Sequence, residues 1–113
     1  MFRRAISLKA VHRDLMFEAG WAALDTGHHD AAVGFLAKYL KRNPDNAKGH
    51  EFLSRAFLGL GRPDEAAAAL ERALARDPAL EPSVRYFLGQ AAFQRGERSA
   101  AAQALNRIQR EDA

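Results

Sequence analysis

The sequence of 113 residues contains no cysteine, which excludes disulfides, thiolate metal sites and cysteine nucleophiles. It also lacks an apolar run near the ~20 residues that span a bilayer, and it lacks the apolar stretch of a secretory signal. Phosphate-binding glycine loops, Ser/His/Asp arrangements and the HExxH zinc motif are absent as well. We therefore expect a cytoplasmic protein that is not an enzyme and that needs no cofactor and no metal.

Acidic residues are missing from one region only. Residues 1–13 contain four basic residues and no Asp or Glu. Residues 14–113 contain the other 13 of the 17 Lys and Arg residues together with all 14 Asp and Glu residues. The excess of positive charge therefore belongs to one terminus and not to the body of the domain. A nucleic-acid-binding surface needs cations clustered across a folded face, so we do not expect a nucleic-acid partner.

What the sequence does contain is a repeat of 34 to 35 residues. The matching columns are Gly27, Gly61 and Gly96; Gly20, Ser54 and Gly89; Ala32, Ala66 and Ala101; and Leu36, Leu70 and Leu105. No segment alternates in the manner of a strand, and each copy reads as two helices separated by a break. The breaks are expected at 25–27, at 59–61 and at Arg95-Gly96. The sequence thus predicts an all-α fold of three helix-turn-helix units.

The repeated columns predict the core. Gly20, Ser54 and Gly89 are small where the two helices of a pair should cross, and the alanine column does the same on the second helix. The leucine column and Phe57 are expected to fill the space between the helices. We interpret all of these residues as structural.

Residues 2–11 leave three alternatives open. Their apolar pattern matches that of a second helix 34 residues later: Phe2, Ala5 and Ile6 correspond to Leu36, Tyr39 and Leu40. We favour a capping helix that packs on the first copy. The alternatives are a basic amphipathic arm that touches an anionic surface and a flexible leader. Membrane contact through residues 1–12 is not expected.

The repeat resembles the tetratricopeptide repeat, a helical pair of 34 residues. The second copy matches best, with His50-x2-Leu53-Ser54-x2-Phe57, then Ala66-x3-Leu70, then Pro78. The resemblance implies a right-handed solenoid with an extra N-terminal helix. Its domain would comprise residues 13–113, with repeats of approximately 13–46, 47–80 and 81–113, preceded by the basic segment 1–12.

In the tetratricopeptide family, the first helices of successive pairs line a concave groove that binds peptides or helices of partner proteins. The resemblance therefore implies a non-catalytic scaffold with a partner-binding groove. Its residues here would be Phe17, Trp21, Leu24, Lys48, Phe52, Arg55, Leu58, Tyr86, Phe87, Gln90 and Phe93. Phe17 and Trp21 occupy the places of the Lys and Asn that grip acidic chaperone tails in some relatives, so that clamp is not expected.

The groove residues include a second apolar stripe on the first helix. Phe17, Trp21 and Leu24 are spaced i, i+4 and i+7, and they differ from the column that makes the core. A second apolar stripe needs a cover or serves as a site. A partner peptide is the favoured cover, which makes the protein an adaptor. The alternatives are a second copy, which makes it a homo-oligomeric assembly module, and the protein's own N-terminal segment.

One pair of histidines is the candidate for a metal site or for catalytic residues. His28 and His29 lie at the expected break before the second helix, close to Asp25 and Asp30. Polar residues are expected in such a turn, and adjacent histidines point in different directions. We interpret both as turn residues, with a metal site as the alternative.

Overall fold

Five helices follow one another along residues 15–112, the part of the backbone that this computed structural model describes; side chains are described for 15–100 and 102–106. The described part of helix α1 covers 15–25, and a single 3-10 turn, Pro78–Leu80, precedes α5. The other helices are α2, His29–Arg42; α3, Ala47–Gly59; α4, Pro63–Arg76; and α5, Glu81–Asp112. Residues 15–112 contain no strand. The all-α helical-repeat fold predicted from the sequence is confirmed.

The first two breaks are made by glycines in the left-handed conformation. Gly27 has a φ of 81° and Gly61 a φ of 70°, values that favour glycine and that end a helix. Each glycine is followed by a signal that starts the next helix. Pro63 opens α4, and acidic residues lie in the first turns of both α2 and α4, where the helix dipole favours negative charge.

The first two helical pairs close as the repeated columns predict. A β-carbon added to Gly20 would lie 2.7 Å from Cγ of Leu36, so only glycine allows this approach of α1 and α2. Ser54 and Leu70 are completely buried in the second pair. Ala32 and Ala66 are also fully buried, and Phe57 packs half-buried against the same core. These core predictions are confirmed.

The third pair does not form, because α5 is one continuous helix of 32 residues. The predicted break at Arg95-Gly96 is wrong. Gly96 does not adopt a positive φ, and no proline follows it. A glycine inside a helix costs only about 1 kcal/mol relative to alanine, which the alanine-rich residues after it offset by their high helix propensity.

Two residues of the predicted core are therefore exposed. A β-carbon added to Gly89 would have no atom of another helix within 4 Å, and the side chain of Leu105 is 61% exposed. Both were expected inside a hairpin that the continuous α5 leaves open. The side chain of Ala101 and residues 1–12 lie outside the described residues, so the predictions for them stay predictions.

The carbonyl oxygen of Pro44, in the loop between the first and second pairs, accepts two hydrogen bonds that hold this loop in place. His50 Nε2 donates to the carbonyl oxygen of Pro44 at 2.8 Å, and Arg76 Nε donates to the same oxygen at 2.5 Å. His50 is buried, and burial lowers its pKa; the nearby charges of Arg76 and Arg72 lower it further, against the opposing effect of the hydrogen bond to Pro44. His50 therefore favours the neutral state in the folded protein.

Candidate functional site

The first helices α1 and α3 and the N-terminal part of α5 bring five of the predicted groove residues into one row. The Phe17 and Phe52 rings lie 5.3 Å apart, and the Tyr86 and Phe87 rings 5.1 Å apart. Between these pairs, the Arg55 guanidinium lies 5.2 Å from the Phe52 ring centre and 4.6 Å from that of Phe87. We call these five residues the aromatic ladder. It joins α1 and α3 to the N-terminal part of α5.

Arg55 is held in the middle of the ladder by a carboxylate beneath it. Its Nη2 donates to Oε1 of Glu51 at 2.7 Å, and Glu51 is almost completely buried. A guanidinium between two aromatic rings gains cation–π attraction on both faces, and its partner neutralises the charge. Arg55 thus links the second repeat to α5 through contacts with Glu51, Phe52 and Phe87.

The C-terminal end of the row is anchored by amides. Gln90 Nε2 donates to the Tyr86 hydroxyl at 2.9 Å, and Gln94 Nε2 donates to the carbonyl oxygen of Leu58 at 2.9 Å. Leu58 itself is buried in a cluster with Ala66 and Ala91. The prediction that Leu58 lines the groove is therefore corrected, because packing of α5 against the end of α3 covers this side chain.

The remaining groove residues divide into buried supports and exposed anchors. Leu24, like Phe17, is half-buried against the core of the first pair, whereas Lys48 is exposed. Trp21 is 48% exposed and Phe93 is 67% exposed. A cavity of about 530 Å³ runs along the exposed part of α5; its lining comprises Tyr86, Gly89, Gln90, Phe93, Gln94 and Glu97.

Sequence reasoning missed two residues that support this row. The ring centres of Tyr39 and Phe17 lie 5.0 Å apart, with the rings tilted, although Tyr39 belongs to the second helix of its pair. The Tyr39 hydroxyl accepts a hydrogen bond from Asn46. The second is Glu51, the carboxylate that pairs with Arg55. Its i, i+4 spacing to Arg55 was the available signal for an ion pair.

The histidine pair has structural roles. His28 Nδ1 lies 2.9 Å from the Thr26 hydroxyl, and the His29 ring packs so closely on Gly59 that a β-carbon there would overlap the ring. Within the described residues, no three His, Cys, Asp or Glu side chains come together in a way that could hold a metal ion. No helix in that part of the chain is long and apolar enough to cross a membrane.

Stacked helical hairpins with their first helices in one row define a helical-repeat protein. A family model described as "Tetratricopeptide repeat" matches residues 1–47 and 53–113. The chain belongs to the tetratricopeptide repeat family, as the sequence resemblance indicated. Domains of this family generally mediate protein–protein interaction and are non-catalytic.

A curated protein and a solved structure illustrate what the chain is similar to. The Hsp70-Hsp90 organizing protein of Triticum aestivum is 36% identical over 80 residues, which are 71% of this chain and 14% of that protein. The chain therefore spans a small part of the length of this curated relative. The solved structure "MamA D159K mutant 2" matches with a TM-score of 0.69 and 24% identity, over 97% of this chain and 60% of the other. This second likeness supports the fold alone.

Proposed function

We propose that this protein is a non-catalytic adaptor that binds a peptide or helix of a partner protein along the aromatic ladder. The observation that carries the proposal is the ladder itself, a connected row across α1, α3 and α5, together with the exposed aromatic side chains Trp21 on α1 and Phe93 on α5. We also propose that residues 13–113 act as one domain in this binding.

Affinity in such a groove would come from the exposed aromatic side chains. Trp21 at one end and Phe93 at the other can each bury a large apolar area against a partner. Tryptophan and tyrosine are enriched among the residues that dominate binding energy, and each anchor contributes about 2 kcal/mol or more. Because the Arg55–Glu51 pair already orders the ladder, little conformational entropy remains to be lost on binding.

The polar residues of the groove set the orientation of the bound segment. Lys48 and Gln90 are exposed on the same face as the ladder, and each can donate hydrogen bonds to backbone carbonyls of an extended or helical segment. Glu18 and Asp25 are also exposed and make the charge of the face mixed. The partner is therefore expected to present apolar side chains and no strong net charge.

Selection of peptides from a displayed random library against the full chain, followed by calorimetry, tests this proposal. Trp21→Ala and Phe93→Ala should each weaken a selected peptide by about tenfold or more, since an aromatic anchor is lost. Phe35→Ala is the matched control, because Phe35 is a similarly exposed aromatic on α2, away from the ladder. Equal weakening by all three variants, or by none, would contradict a site on the ladder.

A further inference from the structure

Both ends of the first-helix row are open in the described part of the chain. Ala22 of α1 is exposed, whereas Ala56 and Ala91, the residues in the same place 34 and 69 positions later, are completely buried. Ala91 clusters with Leu58 of the preceding first helix, and Ala56 belongs to the core cluster that includes Leu36 of the first pair. The surface around Ala22 therefore corresponds to one that is covered in the next two repeats.

The opposite end of the row shows the complementary opening. Tyr86 is 62% exposed and Phe93 67% exposed. Their counterparts 35 residues earlier, Glu51 and Leu58, are both buried where α5 packs on α3. Tyr86 and Phe93 thus lie where a further first helix would pack.

A slot beside this open end lacks the side chain that fills it elsewhere. Gly20 receives Leu36 in the first pair, but the equivalent Gly89 has open space around it. Leu105, the residue that corresponds to Leu36, lies 16 positions further along α5, roughly 24 Å away along the helix axis. It cannot reach Gly89 while α5 is continuous.

The chain contains a second segment with the register that this slot requires. Phe2 stands 34 residues before Leu36, and Ile6 stands 34 before Leu40. Leu36 fits against Gly20 of its own pair, while Leu40 approaches Gly49 of the following pair within 2.8 Å of its β-position. Helix α2 therefore contacts the first helix before it and the first helix after it.

We propose that the N-terminal segment and α1 of a second copy continue the solenoid of the first copy at its open C-terminal end. Phe2 of the second copy fills the slot at Gly89, and Ala22 of its α1 packs on Phe93. Glu18 takes the place that Phe52 has opposite Phe17, so its carboxylate lies near Tyr86. The Tyr86 hydroxyl accepts a hydrogen bond from Gln90, which leaves its proton free to donate to Glu18.

This contact is head-to-tail and does not close on itself. The proposed receiving surface lies on α5 of one copy, and residues 2–11 and α1 of the next copy dock on it. An assembly of any length therefore keeps one unused surface of each kind. Such heterologous contacts build open assemblies instead of symmetric dimers. The slot at Gly89 adjoins Tyr86 of the ladder and Phe93, so a second copy would compete with a peptide at this end, but the contact itself does not require peptide binding.

Sedimentation velocity on the full chain over a hundredfold concentration range tests the proposal. The natural protein should form a concentration-dependent series that passes beyond the dimer. Gly89→Leu should weaken association by about tenfold or more, because it fills the slot while meeting open space in the single chain. Gly34→Leu is the matched control, since Gly34 lies on α2 with equally open surroundings, and it should associate as the natural protein does.

A mixing experiment establishes the direction of the contact. Phe2→Asp removes the inserting side chain, and Gly89→Leu removes the slot, so each variant alone should associate about tenfold or more weakly than the natural protein. Together they retain one intact slot and one intact insert, and they should form a one-to-one dimer that grows no further. The proposal is overturned by a natural protein that stays monomeric, by a closed symmetric dimer, or by Gly89→Leu associating as strongly as Gly34→Leu.

Discussion

The second and third repeats carry the same columns of small and apolar residues, yet only the second closes into a hairpin. In the second repeat, Gly61 adopts a left-handed conformation and Pro63 starts a new helix immediately afterwards. In the third repeat, Gly96 is helical and is followed by good helix formers. The comparison teaches that the stop and restart signals decide whether the hairpin forms, while matching core columns alone do not.

The largest contrast between the two repeats should appear on truncation of their equivalent leucines. Leu70→Ala removes a completely buried side chain and should lower the free energy of unfolding by about 2–5 kcal/mol through loss of burial and cavity formation. Leu105→Ala changes an exposed position and should cost less than about 0.5 kcal/mol. Urea denaturation followed by circular dichroism measures both. Equal losses would mean that Leu105 is packed as Leu70 is.

The two glycines should respond to alanine with opposite signs. Gly61→Ala forces a β-carbon into a left-handed conformation and should destabilise the fold by about 1–2 kcal/mol. Gly96→Ala improves helix propensity within α5 and should stabilise the helix by up to about 1 kcal/mol. Thermal unfolding of the two variants beside the natural chain gives the signs. Destabilisation by Gly96→Ala would indicate that the hairpin of the third repeat closes in solution.

The smallest expected effect is the loss of stability at low pH that His50 of the second repeat causes. His50 has a pKa below its usual value of 6.5 in the folded state, so the unfolded chain binds a proton more readily. Stability from this group is fully present above pH 6.5 and is lost as the pH falls towards the folded-state pKa. His50→Gln keeps a donor for Pro44 without the titration. Its free energy of unfolding should therefore vary less between pH 7 and pH 5, and an unchanged pH profile would count against His50.

Much of the fold could be predicted from the sequence because it depends on local signals. The turns at Gly27 and Gly61, the close approach of Gly20 to Leu36 and the burial of Leu70 all follow from residue type and spacing. The continuity of α5 could not be predicted from the columns, because helix propensity after Gly96 competes with packing energy. That balance is set by how much surface a closed third hairpin would bury.

The candidate site was predicted in outline and not in detail. The resemblance to the tetratricopeptide repeat implied that Phe17, Phe52 and Phe87 line one groove. The burial of Leu58 was missed, because it depends on the angle at which α5 crosses the end of α3. The stacking of Arg55 between two rings was missed for the same reason: contacts between repeats depend on the twist of the solenoid, which is not encoded at any single position.

The shared acceptor at Pro44 has a mechanical consequence. One carbonyl oxygen joins the loop after α2 to His50 of α3 and to Arg76 of α4. Bending the array at this joint would stretch both hydrogen bonds at once, so the first two repeats should move as one stiff body. Elastic deformation is then expected in α5 beyond Gln94 and Arg95, whose side chains contact Leu58 of α3 and Asp64 of α4.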